Sequence, residues 1–268
     1  MDSGGVFSGL APARRRLVVA LLAVVGVALV ALGVVLVLPD AEPVADQELP
    51  GPVVLVPGYG GSTASLQSLT NLVRAAGRDA TVVALPGDGT GDLNAAADLL
   101  GDTVTAVLAR TGAPSVDVVG YSAGGVVARL WIAGGGGSVR RVVTLGSPHH
   151  GTMLADLAGS VLTTTCPEAC RQLAPDSDLL RGLNAGDETP AGPSWVSIWT
   201  TQDETVTPPD SASLDGAVDI PVQAVCAGAT VAHGELPRSP LVQAMVMAEL
   251  VAGPPVELTA SDCARLQG

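Results

Sequence analysis

Val116-Asp117-Val118-Val119-Gly120-Tyr121-Ser122-Ala123-Gly124-Gly125-Val126-Val127-Ala128-Arg129 is the stretch on which the fold turns. A short β-branched run passes through one serine between glycines and continues at once into residues of helical spacing, with no room for more than a tight turn. A strand that feeds directly into a helix is the repeating unit of a parallel sheet. The same alternation extends outward in both directions. Residues 52–56, 80–85, 140–145, 195–200 and 221–226 read as strands, and 65–76, 93–110, 123–133 and 240–251 as helices. Runs such as Val53-Val54-Leu55-Val56 are apolar on both faces, as strands covered by helices on each side must be. The expected class is therefore α/β, a mostly parallel sheet with helices on both faces, filling a single domain over residues 52–268.

The 268-residue chain is 47% hydrophobic, which supports a core of that size, but only 2% aromatic, so the core must be built from Val, Leu and Ala. A net charge of −13 argues against nucleic acid as a partner, because phosphates require a basic face. Residues 1–16 form a basic N-terminus closing on Arg14-Arg15-Arg16, and an uncharged apolar run follows from Leu17 to Leu38. As a helix that run would measure roughly 33 Å, enough for a bilayer core of about 30 Å. It predicts one N-terminal transmembrane anchor with the arginines cytoplasmic and the domain outside, joined by a linker over 39–51. Secretion after cleavage of a signal peptide is the alternative. Four cysteines fit such export. They allow three pairings, and proximity favours Cys166 with Cys170 and Cys226 with Cys263; no spacing suggests a metal site. Residues 153–193 interrupt the strand–helix alternation for longer than a plain connection needs. That segment is a candidate cap over whatever site the domain carries.

Chemistry concentrates at Gly120-Tyr121-Ser122-Ala123-Gly124. A serine on a sharp strand-to-helix turn is presented at the end of the sheet, and the helix N-terminus points backbone N–H groups at it. A serine hydroxyl is a weak nucleophile at neutral pH and needs a base. Three histidines are present. His149 and His150 follow the next strand, whereas His233 lies past the last one and alone leaves room for an acid between itself and Ser122. That order predicts Ser122 as nucleophile, His233 as base and Asp203, after strand 195–200, as the acid that orients the imidazole. Glu204 is the neighbour to exclude. Two backbone N–H groups must meet a developing oxyanion, and the expected donors are Ala123 and Tyr59 in the glycine-rich turn Pro57-Gly58-Tyr59-Gly60-Gly61. Gly58, Tyr121, His149 and His150 are the candidate substrate-contacting residues.

Three stretches together resemble a known family: Val54-Leu55-Val56-Pro57-Gly58-Tyr59-Gly60-Gly61, Gly120 to Gly125, and Thr144-Leu145-Gly146-Ser147-Pro148-His149-His150-Gly151-Thr152. In order and content they are similar to the secreted bacterial lipases and esterases of the α/β-hydrolase superfamily, of the kind grouped as triacylglycerol lipase class 2. The resemblance implies the α/β-hydrolase fold and hydrolysis of ester or lipid substrates through an acyl-enzyme. It implies the same Ser122, Asp203 and His233, and no cofactor. It departs at Pro57-Gly58, where the family often has His-Gly. An acyltransferase or thioesterase on the same fold, or an inactive cell-surface binding module, are the competing expectations.

Overall fold

The computed structural model describes residues 45–155 and 166–268, with 11, 13, 14, 16, 20–27 and 29 in addition. Two units separate, Met1–Glu42 and Pro43–Gly268. In the first, residues 20–27 are helical and exposed. The transmembrane helix expected over 17–38 falls largely outside the described residues. Among those described, no helix is long and apolar enough to cross a membrane.

Among its described residues the second unit holds six strands, β1 (Val53–Val56), β2 (Ala80–Val82), β3 (Val116–Tyr121), β4 (Val139–Leu145), β5 (Ser194–Trp199) and β6 (Val218–Pro221). They lie in the order β2-β1-β3-β4-β5-β6, every pair parallel. Successive β1 side chains take opposite faces. Val53 and Leu55 join one apolar cluster with Leu69, Val73 and Met245, and Val54 and Val56 join another with Leu100, Val104 and Val127. The first face is covered by α1 (Gln67–Ala75) and the later α7 (Pro240–Glu249), the second by α2 (Leu93–Thr111) and α3 (Ala123–Ala133). The continuous Val/Leu runs are explained by this double coverage.

The last strand is shifted from its expected place. Residues 221–226 read as a strand because they are rich in valine, but β6 ends at Pro221 and Val222–Val225 forms a short helix, α6. Val222 and Val225, three apart, are both buried, which is helical rather than alternating spacing. In β6 only Ile220 is buried, as suits an edge strand paired on one side by β5.

The described part of the 153–193 segment contains α4 (Glu168–Gln172) and α5 (Asp178–Leu183); residues 156–165 lie outside the description. Helix α4 is fastened to the start of α2. Ala169 N–H donates to Thr90 O at 3.1 Å, Gln172 Nε2 to Asp92 Oδ1 at 2.6 Å, and Leu93 N–H to Gln172 Oε1 at 2.8 Å. Both disulfides form as proximity suggested, Cys166–Cys170 and Cys226–Cys263, the latter tying α6 to α8 (Cys263–Gln267). From residue 45 the stretch read as linker is bound to the domain. Gln47 donates through Nε2 to Arg140 O at 2.9 Å and accepts at Oε1 from Arg141 and Ser194.

Candidate active site

Ser122 sits between β3 and α3 with φ 53° and ψ −126°, one of two non-glycine residues with positive φ among those described. Such a conformation is costly for a residue with a Cβ and persists only where its surroundings hold it. Here the neighbours are packed too closely for side chains. A Cβ on Gly124 would run into the backbone carbonyls of Val56 and Pro57, and one on Gly58 would lie 2.9 Å from Ser122 Cβ. Ser122 N–H donates to Leu145 O at 2.8 Å, which binds the turn to the end of β4. The result is a hydroxyl held at the C-terminal end of the sheet.

Two loops bring the remaining groups to it. His233, in a turn beyond β6, has Nε2 3.0 Å from Ser122 Oγ and Nδ1 2.7 Å from Asp203 Oδ2. Asp203 follows β5. Its other oxygen, Oδ1, accepts from the backbone N–H groups of Thr205 at 2.8 Å and Val206 at 2.7 Å. All three residues are buried. The Asp203-Glu204-Thr205 turn is one in which an aspartate bonds the backbone two residues on, and that local signal separates Asp203 from the exposed Glu204. Gly146, with φ 55°, lies below the pair; a Cβ there would be 3.3 Å from both Asp203 Oδ2 and His233 Nδ1 and 2.5 Å from Leu236. Sequence reading passed over Gly146. A serine, imidazole and carboxylate so linked can move a proton from the hydroxyl to Nε2 while Nδ1–H stays bonded to the carboxylate. Among the described residues, neither Tyr59 N–H nor Ala123 N–H donates to a protein acceptor.

A cavity of about 290 Å³ opens on Ser122. Its wall is largely apolar, with Leu154, Ala155, Leu173 and Val206, and Tyr59 contributes at the mouth. Cys170 lies in the same wall, so the Cys166–Cys170 disulfide borders the site. Of the four candidate substrate contacts, none lines this cavity. Tyr121 turns beneath His233, its ring 5.4 Å from the imidazole and its hydroxyl donating to His233 O at 3.3 Å; burial, then the charge of Asp203, pushes its pKa up to about 12. His149 is fully buried, with Nε2 3.2 Å from Thr144 Oγ1, and burial followed by the charges of Arg129 and His150 holds it well below the usual imidazole range. His150 faces away to Glu188, 2.8 Å from its Oε1. Gly58 gives backbone room to Ser122. Of the wall, Ala155, Leu173 and Val206 were missed, because they come from three separate segments with no shared sequence pattern. Among the described residues no cluster of His, Cys, Asp or Glu could hold a metal ion.

Comparison with known proteins adds a family likeness. The model for lipase (class 2) matches residues 96–227, a span that takes in Ser122 and Asp203 and stops short of His233. Over 61 residues, 23% of this chain, the sequence is 43% identical to triacylglycerol lipases of Pseudarthrobacter phenanthrenivorans and Burkholderia plantarii. Those matches span only 19% and 17% of the two relatives' lengths. Aspergillus fumigatus lipase B is similar in fold, with a TM-score of 0.64 at 20% identity over 86% of this chain and 63% of that one. The mature form of Bacillus licheniformis lipase BlEst2 gives a TM-score of 0.62 at 21% identity, over 79% of this chain and 96% of that one.

Proposed function

We propose that this chain, an α/β-hydrolase of the bacterial lipase/esterase type, hydrolyses carboxylic esters through an acyl-enzyme on Ser122. The observation that carries the reading is the pair of contacts on one imidazole, 3.0 Å to Ser122 Oγ and 2.7 Å to Asp203, beside an apolar cavity. In this reading Ser122 Oγ attacks the ester carbonyl as His233 Nε2 takes its proton. On the same reading the oxygen that becomes negative is met by Tyr59 N–H and Ala123 N–H. Asp203 keeps the imidazole in the tautomer whose Nε2 can accept, and stabilises the imidazolium. Collapse of the tetrahedral species expels the alcohol with the proton from Nε2. Water, deprotonated by the same nitrogen, then releases the carboxylic acid and restores the serine. The acyl chain is assigned to the wall of Leu154, Ala155, Leu173 and Val206. No cofactor takes part in this scheme.

An exported domain is proposed on the strength of its two disulfides, which persist in oxidising compartments. A tether through residues 17–38 rests on the apolar run alone, and a cap over 153–193 on that segment's length and on α4 beside the cavity.

The test is hydrolysis of p-nitrophenyl butyrate and palmitate by the full chain and its Ser122→Ala variant. Loss of about 10⁶-fold in kcat with unchanged melting is expected, as for other nucleophiles acting within such a unit. Equal activity in the two proteins would remove Ser122 from the chemistry. Folded, oxidised protein inactive on both esters would favour transfer to another acceptor.

A further inference from the structure

The histidine is carried by a loop with little structure of its own. Residues 226–232 form neither helix nor strand, and within them the one backbone hydrogen bond described is Ala229 N–H to Cys226 O at 2.9 Å. Yet Ala229 and Val231 are buried, so their backbone groups need partners. These come from three side chains belonging to other segments. Thr200 Oγ1 donates to Val231 O at 2.8 Å. Gln202 accepts from Val231 N–H at 3.2 Å through Oε1 and donates to Ala229 O at 3.2 Å through Nε2. Gln223, on α6, donates through Nε2 to Thr200 Oγ1 at 3.0 Å and to Ala229 O at 3.3 Å, and its Oε1 accepts from Thr201 N–H at 2.9 Å.

Two of the three, Thr200 and Gln202, stand within three residues before Asp203. Asp203 N–H itself donates to Thr200 O at 3.3 Å. The short peptide that ends in the carboxylate therefore also grips the loop that ends in the imidazole. We propose that Thr200, Gln202 and Gln223 are positioning residues that lock the His233 loop in register with Asp203, so that the 2.7 Å Nδ1 contact and the 3.0 Å Nε2 contact are held together. This rests on the assignment of His233 as base. Thr200 Oγ1 is the hub. It is fully buried, it donates once, and it accepts from Gln223 Nε2 and from Gln202 N–H at 3.2 Å, so its hydroxyl hydrogen is committed to Val231 O. None of the three touches the cavity beside Ser122, so their loss should act on turnover and not on substrate binding.

The experiment uses the full chain with Gln223→Leu, Gln202→Leu, Thr200→Val and the conservative Thr200→Ser. Gln202 is exposed and Gln223 half-buried, so the leucine variants report even where Thr200→Val fails to fold. Two readouts are taken: kcat and KM for p-nitrophenyl butyrate, and the downfield proton NMR signal of His233 Nδ1–H. The expectation for Gln223→Leu is a fall in kcat of roughly tenfold to a hundredfold, the scale of a small misplacement of a reacting group. KM and melting temperature should stay as in the parent and the Nδ1–H signal should broaden, with Thr200→Ser retaining both rate and signal. Leucine variants with parental kcat and a sharp Nδ1–H signal would overturn the proposal. A parent that shows the signal but hydrolyses no ester would instead refute the hydrolase assignment, and the signal in the variants would still decide the role of the three residues.

Discussion

The two ends of the sheet each bury a carboxylate, and they use it in opposite ways. At the C-terminal end Asp203 accepts from two backbone N–H groups and one imidazole, and the chain of bonds ends at a serine hydroxyl facing a cavity. At the N-terminal end Asp117, on β3, accepts from Arg140 Nε at 2.8 Å and Nη2 at 2.6 Å and from Arg78 Nη2 at 2.5 Å. There the other described guanidinium contacts go mostly to main-chain carbonyls, with Arg141 also reaching Ser194 Oγ and Gln47 Oε1. Arg140 reaches Gln47 O, Leu250 O and Val251 O, and Arg141 beside it reaches Glu249 O and Gly253 O. The first network ends on a hydroxyl that faces a cavity, and the second mainly fastens residues 47, 51 and 249–253 to the strands. The difference teaches that a buried charge is read by where its hydrogen bonds end. Charges that terminate on backbone hold the chain, and a relay that terminates on a hydroxyl at a cavity can do chemistry.

Substitutions at the two ends should separate these roles. Asp203→Asn should lower kcat by about 10⁴-fold, because an amide in place of the carboxylate favours the wrong imidazole tautomer, with little change in melting. A loss below tenfold in ester turnover would break the contrast at its functional end. Asp117→Ala should do the reverse. Removing one partner of a buried ion pair typically costs 3–5 kcal/mol, about that is expected in urea unfolding, and activity per folded molecule should be unchanged. Full stability in that variant would mean the lower network is ornamental.

Smaller effects sharpen the same comparison. Replacing Cys226 and Cys263 by serine opens a crosslink 37 residues apart and should cost about 4 kcal/mol, against about 2 kcal/mol for the four-residue Cys166–Cys170 crosslink. Thermal melts of the two double variants measure this directly, and the reversed ranking would refute the loop-length argument. The Cys166–Cys170 variant should instead change the butyrate-to-palmitate ratio, since Cys170 lies in the cavity wall. His149 supplies a pH signature. Its folded pKa lies well below 6.5, chiefly through burial. The unfolded chain therefore takes a proton below about pH 6.5 that the folded domain refuses, and stability present above that pH is lost as the pH falls. At pH 5 the loss from this one group is at most about 2 kcal/mol. His149→Gln should flatten the fall in melting temperature between pH 7.5 and 5, and an unchanged slope would assign the pH dependence to other groups.

Much of the upper end was legible because it depends on short-range rules. A β-branched run, a serine between glycines and a helical run specify their own turn within a few residues, and the position of Ser122 follows. With only three histidines, chain order was enough to separate His233 from His149 and His150. The cysteine pairings followed from sequence separation alone. What could not be read lies where one short apolar pattern suits two structures, as in Val222–Val225, or where partners are far apart in the chain. Thr152, Leu173 and Val206 share one cavity wall, yet no local pattern connects them.

By itself, then, the sequence determined the parallel α/β architecture, the serine's turn, the three residues that now lie within hydrogen-bonding reach of one another, and both disulfides. Only the tertiary structure decided that His149 and His150 turn away from the cavity, that β6 ends at Pro221, and that the side chains preceding Asp203 grip the loop carrying His233. It also decided that Asp117 holds Arg78 and Arg140, which fasten residues 47, 51 and 250–251. The reason is physical. Backbone conformation and apolar periodicity are set by neighbours a few residues apart, whereas burial, cavity walls and hydrogen-bond partners are set by which distant segments the packed sheet brings into contact.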